Sequence, residues 1–121
     1  MSPHNRRAHR RYTLRLAAEV RTATAGFTAT TRDLSEGGCC IESAYPLDDG
    51  AQVGMSLYLV VDGIEDVHQP PLQVRARVQW SAANPDAPAA IRHVSGLHFE
   101  DMTPQQAQWL AGVLARCTPA T

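Results

Sequence analysis

The 121-residue chain contains no lysine, so all eleven of its Lys-or-Arg residues are arginines. Arginine makes planar, two-pronged contacts to phosphate and to guanine, and every such cationic contact here must be of that kind. Long apolar runs are also absent. None approaches the ~20 residues that a helix needs to span a bilayer. No apolar stretch follows the arginine-rich N-terminus in the manner of a secretion signal. These absences exclude a helical membrane span and lead to the expectation of a cytoplasmic protein without membrane insertion. Cysteine is scarce and odd in number, at Cys39, Cys40 and Cys117. Neighbours on a strand point to opposite faces, so Cys39 and Cys40 are poorly placed to share a metal or a bridge. They read as small strand fillers in a reducing compartment. The histidines, His4, His9, His68, His93 and His98, show no metal-ligand spacing, and no Ser, His and Asp set stands out as a triad. The expectation is a protein with no metal site that is not an enzyme. There are no internal repeats and no low-complexity segments.

What is present suits one domain by length, with 44% hydrophobic residues to build a core. The formal net charge of -1 hides an asymmetry. Seven arginines fall in residues 1–32 beside a single acid, Glu19, whereas the rest of the chain carries eleven acids and four arginines. A basic segment on a mildly acidic body suggests an anionic partner for that segment.

Residues 1–11 have no hydrophobic period and read as a flexible arm. From Tyr12 onward Leu14, Leu16, Ala18 and Val20 alternate with polar or small residues, a period of two that predicts a strand. Ala25-Gly26 marks a turn, and Phe27 to Arg32 completes a hairpin. Asp33 to Gly38 reads as a turn. Further strands are predicted over Cys39 to Ser43, Val53 to Val61, Leu72 to Trp80 and Ile91 to Glu100, with loops over 64–70 and 83–90. Leu72, Val74, Ala76, Val78 and Trp80 fall on one face. Thr103, Pro104 and Gln106 supply an N-cap, a first-turn proline and a capping partner. A helix over about 103–117 follows, with Trp109, Leu110, Val113 and Leu114 as its packing stripe. The fold class is therefore all-β: a six-stranded antiparallel barrel over 12–118, closed by a C-terminal helix and preceded by the arm.

Two strings carry chemistry. Arg7 and Arg11 lie four apart on the arm, and each can donate twice to guanine O6 and N7 or to a phosphate. Taken alone, such a run also suits a solvated tail or non-specific phosphate binding. Asp33, Ser35, Gly37 and Gly38 form the second string. Asp33 accepts hydrogen bonds, which suits the N1 and N2 donors of guanine. Ser35 adds a hydroxyl, and the glycines are expected to leave backbone amides accessible as an anion-binding concavity. Taken alone, this string is also an ordinary hairpin turn. Their pairing matters more than either. In a hairpin the start of one strand lies beside the end of the next, so the arm and the turn should meet at one edge of the barrel.

With that pairing the chain closely resembles the PilZ domain, a bacterial receptor module for cyclic di-GMP. That family is marked by two arginines separated by three residues, here Arg7 and Arg11. A string of Asp or Asn, any residue, Ser, any residue, Gly and usually Gly follows, here Asp33, Ser35, Gly37 and Gly38. Val94 to Phe99 also resembles the family's last strand. The resemblance implies that Arg7, Arg11, Asp33 and Ser35 contact guanine and phosphate and that the glycines let the ligand approach. It implies further that Arg6, just before the first motif arginine, goes with two stacked ligands per chain. Trp80 is a candidate to stack on a guanine, or else a plug in the barrel. The expected role is to relay the second-messenger state to an unidentified downstream protein, with no other cofactor. The alternatives are a PilZ-fold interaction domain for pilus or motility control that binds no nucleotide, and a nucleic-acid-binding barrel. The last is disfavoured because no clear set of exposed aromatics is available for stacking.

Overall fold

A computed structural model describes residues 11–58, 60–61, 64–65 and 71–115, with 60–61 and 64–65 described by their backbone. The predicted arm, including Arg6 and Arg7, and the predicted helix end at 116–117 lie outside the described residues apart from Arg11.

The chain forms β1 (Tyr12–Thr13), β2 (Ala17–Arg21), β3 (Gly26–Leu34), β4 (Gly38–Ser43), β5 (Gln52–Tyr58), β6 (Val60–Val61), β7 (Ile64–Glu65), β8 (Leu72–Ala83), β9 (His93–Glu100) and α1 (Pro104–Leu114). Six strands pair in the cyclic order β2, β3, β4, β9, β8, β5 and back to β2, all antiparallel. This is the six-stranded antiparallel barrel with one C-terminal helix expected from the sequence. Closure pairs both edges of each of these strands, removing the open edges of a sheet. The predicted first strand is split into β1 and β2, which share one edge of β3. The structure also departs from the expected loop over 64–70, because β6 and β7 pair with each other as a small hairpin.

The period-two pattern fills the interior. Leu16, Val20, Leu34, Ile41, Met55, Leu57 and Val78 are fully buried, with Ala18, Ala29, Val53 and Phe99 around them. The helix begins as its sequence dictates. Thr103 Oγ1 accepts from Gln106 N at 3.1 Å, and Gln106 Oε1 accepts from Thr103 N at 2.7 Å, with Pro104 behind the cap. Asp101 makes the turn from β9 toward this cap at φ 54°, a conformation that Asp tolerates better than bulkier residues. Leu110, Val113 and Leu114 are buried, Trp109 packs beside them, and α1 lies against β8. No helix among the described residues is long and apolar enough to cross a membrane.

The split between β1 and β2 is held by one buried side chain. Thr31 Oγ1 donates to the carbonyl of Leu14 and accepts from Leu16 N at 2.7 Å, while Thr31 N donates to Leu16 O at 2.9 Å. This fixes where the chain enters the barrel, and therefore where Arg11 sits. Thr31→Val keeps the shape but strips one side-chain bond from the buried Leu16 amide and one from the part-buried Leu14 carbonyl. It should cost about 1–3 kcal/mol in urea denaturation; an unchanged midpoint would remove Thr31 as the anchor.

Candidate functional site

Alternation in an antiparallel wall assigns each cross-strand row to one face. Leu34, Cys39, Leu97 and Val78 form an inner row across β3, β4, β9 and β8, and all four are buried. The adjacent outer row is Asp33, Cys40, Gly96 and Trp80. Three inter-strand steps separate Asp33 from Trp80, about 14 Å along the surface.

Two β-bulges flank this outer row. In β3 the register shifts between Thr31 and Asp33, with Arg32 as the extra residue. In β8 it shifts between Val78 and Trp80, with Gln79 as the extra residue. A bulge resets the alternation and re-aims side chains. Thr31 and Leu34 both face the interior, and Asp33 is turned outward between them. Trp80 likewise leaves the face of Leu72 to Val78 on which simple alternation placed it and stands 41% exposed. The expected continuous face therefore ends at Val78.

Arg11 Nη1 contacts both oxygens of Asp33, at 3.3 and 3.2 Å, so the root of the arm and the second string meet as the hairpin argument requires. Asp33 itself belongs to β3 and pairs with Thr13, rather than lying in the turn. The glycine amides also depart from expectation. Gly37 N and Gly38 N both donate to Ser35 Oγ at 3.2 Å, and Ser35 Oγ donates to Gly38 O at 3.2 Å. The turn has folded these amides inward on its own hydroxyl, so they do not form an open anion concavity. Gly37 O accepts from Phe99 N at 2.9 Å, which ties the turn to β9.

Two glycines are set by close approach. A β-carbon at position 38 would sit 2.0 Å from the carbonyl oxygen of Leu97, and one at position 96 would sit 2.1 Å from Trp80 Nε1. The indole thus lies against the bare backbone of β9. Cys40 is buried between Asp33 and Gly96; burial first, then the Asp33 carboxylate, pushes its thiol pKa up. Burial raises Cys39 still further. Neither is poised as a thiolate at neutral pH. Among the described residues no group of three or more His, Cys, Asp or Glu is arranged to hold a metal ion.

Residues that sequence reasoning passed over complete the surface. Glu42, on the outer side of β4, is only 8% exposed. Arg15 Nη1 donates to its Oε1 at 2.6 Å, and Arg32 Nε lies 4.0 Å from its Oε2. Three guanidinium groups, Arg11, Arg15 and Arg32, thus face two carboxylates, Asp33 and Glu42, with an aromatic plane at the far end of the row. The signal for Arg32 was present as a break in parity between Thr31 and Leu34, but only the pairing shows that both face inward. Such a surface suits a planar, hydrogen-bonding anion.

The PilZ domain family model matches residues 5–116. No curated protein sequence matches the chain. Among solved structures, the inhibitor of motility MotI/DgrA of Bacillus subtilis is similar at a TM-score of 0.72 and 15% identity, over 92% of this chain and 50% of that one. The chain therefore spans about half the length of that protein. The PilZ domain of YcgR from Escherichia coli, solved with c-di-GMP, is similar at a TM-score of 0.67 and 14% identity, over 92% of this chain and 90% of that one. The PilZ domain of CeSA from a cellulose-synthesizing bacterium follows at 0.54 and 21% identity, over 85% and 96%. At these identities the structural likeness is one of fold.

The glycine contacts predict an order of damage. Gly38→Ala meets backbone and should cost about 3 kcal/mol, whereas Gly96→Ala meets a side chain that can swing away and should cost less. Denaturant titration ranks the two. In a Trp109→Phe background, Gly96→Ala should also shift the emission of Trp80; an unmoved spectrum would mean the indole does not rest on Gly96.

Proposed function

This chain belongs to the PilZ domain family, and from that premise we propose that it is a receptor for cyclic di-GMP with no chemistry of its own. The observation that carries the reading is the Arg11–Asp33 contact. It joins the two halves of the motif, 22 residues apart in sequence, at one point on the barrel surface. The YcgR domain, solved with c-di-GMP, has the same fold.

In this reading Arg7 and Arg11 grip guanine edges and phosphates, and Asp33 accepts from guanine N1 and N2. Ser35 contributes mainly by ordering the turn, since its hydroxyl is already engaged three times there. Gly37 and Gly38 keep that corner low enough for the ligand to approach. Trp80 offers a face for a base at the other end of the row, and Arg6 favours a stacked pair of ligands. Binding draws Arg11 from Asp33 alone into a contact shared with the ligand, and the arm orders over it. The reordered arm changes the surface shown to a downstream protein in the cytoplasm.

Calorimetric titration with cyclic di-GMP tests the reading. Arg7→Ala and Arg11→Ala should each lose about 1–3 kcal/mol, or roughly five- to 150-fold in affinity at ~1.4 kcal/mol per tenfold. Asp33→Ala should narrow the preference for guanine over adenine dinucleotides more than it lowers overall anion affinity. Two ligands per chain are expected, falling to one with Arg6→Ala. Unchanged affinity in both arm variants would overturn the site, and an absence of heat with the unaltered chain would favour an interaction domain that binds no nucleotide.

A further inference from the structure

We infer that Arg32, the extra residue of the β3 bulge, is a further ligand-binding residue that contacts a phosphate of the dinucleotide; this rests on the receptor reading above. Regular alternation would send one of two successive residues inward. The bulge instead places Arg32 and Asp33 on the same outer face, between the buried Thr31 and Leu34. A bulge leaves a residue unpaired in the ladder, and here that residue is a cation beside the carboxylate that would read guanine.

The local charges aim Arg32 toward the site. Arg11 approaches Asp33 from the β1 side, while Arg32 lies toward β4, its Nε 4.0 Å from Glu42 Oε2. Glu42 is already bonded at 2.6 Å by Arg15 through its other oxygen, so one buried carboxylate is shared by two guanidinium groups. That leaves an excess positive charge on this patch. Arg32 has a half-exposed side chain, at 52%, and its contact with Glu42 is too long for a hydrogen bond. Its donors thus remain available for a phosphate. Arg77 on the same barrel is the contrast: Nε and Nη2 engage Glu100 at 2.9 and 3.4 Å, and Nη1 donates to Gly50 O at 2.8 Å. Arg32 and Asp33 are adjacent, so a ligand with a base on Asp33 brings its sugar-phosphate linkage within reach of the Arg32 side chain.

The test is titration of the full chain with cyclic di-GMP over a range of salt concentrations, for the unaltered protein, Arg32→Gln and Arg32→Lys. Arg32→Gln should weaken binding about tenfold and lower the slope of log affinity against log salt by roughly one, as expected for one lost phosphate contact. Arg32→Lys, which keeps the charge, should restore the slope and most of the affinity. If the unaltered chain binds and Arg32→Gln binds within twofold with the same slope, the inference falls and the receptor reading stands. If Arg32→Lys is as weak as Arg32→Gln, charge is not what Arg32 supplies, and the phosphate assignment falls. If the unaltered chain does not bind, the receptor reading itself fails.

Discussion

A closed antiparallel wall allows one inward and one outward side chain at each step along a strand, and the narrow interior of six strands must be filled without gaps. Most of this molecule follows from that constraint. Leucine, valine, isoleucine, methionine and alanine occupy most of the inner positions, with Thr31, Cys39 and Phe99 among the rest. The proposed binding surface lies where the constraint is broken. Both bulges border the row through Cys40 and Gly96, one in β3 and one in β8. Each turns a residue outward that strict alternation would have buried, Asp33 in one case and Trp80 in the other.

The same row explains the small residues along it. β4 is buried along its whole length, on its outer as well as its inner side. Its outer positions are Gly38, Cys40 and Glu42, and Gly38 has no room for a side chain against β9. Glu42 tolerates burial because Arg15 meets it at 2.6 Å and Arg32 adds a second positive charge. Cys40 is buried in the middle of the row, and Gly96 leaves the room in which the Trp80 indole lies against β9. Close packing therefore asks for small residues at positions 38, 40 and 96.

The motif residues divide into two kinds of work. Asp33 and Arg11 present charge at the surface, already in contact with one another. Ser35, Gly37 and Gly38 hold a corner whose hydrogen bonds are directed inward and to β9. A serine and two glycines in a recognition motif suggest direct contact with ligand. In this molecule their evident task is to set the height and direction of the β3–β4 turn, and hence the place of Asp33.

The six strands, the capped helix and the meeting of arm root and turn were all legible in the sequence. They depend on local period, on turn chemistry and on hairpin geometry, each of which acts within a few residues or between neighbouring strands. The facing of Trp80, the inward turn of the glycine amides, the β6–β7 pair and the roles of Arg15, Arg32 and Glu42 were not. Bulge position depends on the register of three strands at once, and Glu42 finds Arg15 across 27 residues of chain. The sequence by itself determined which side chains are able to fill a barrel and which chemistry stands ready beside it. Only the tertiary structure decided which of them face outward together, because one extra residue in a strand reverses the face of everything beyond it.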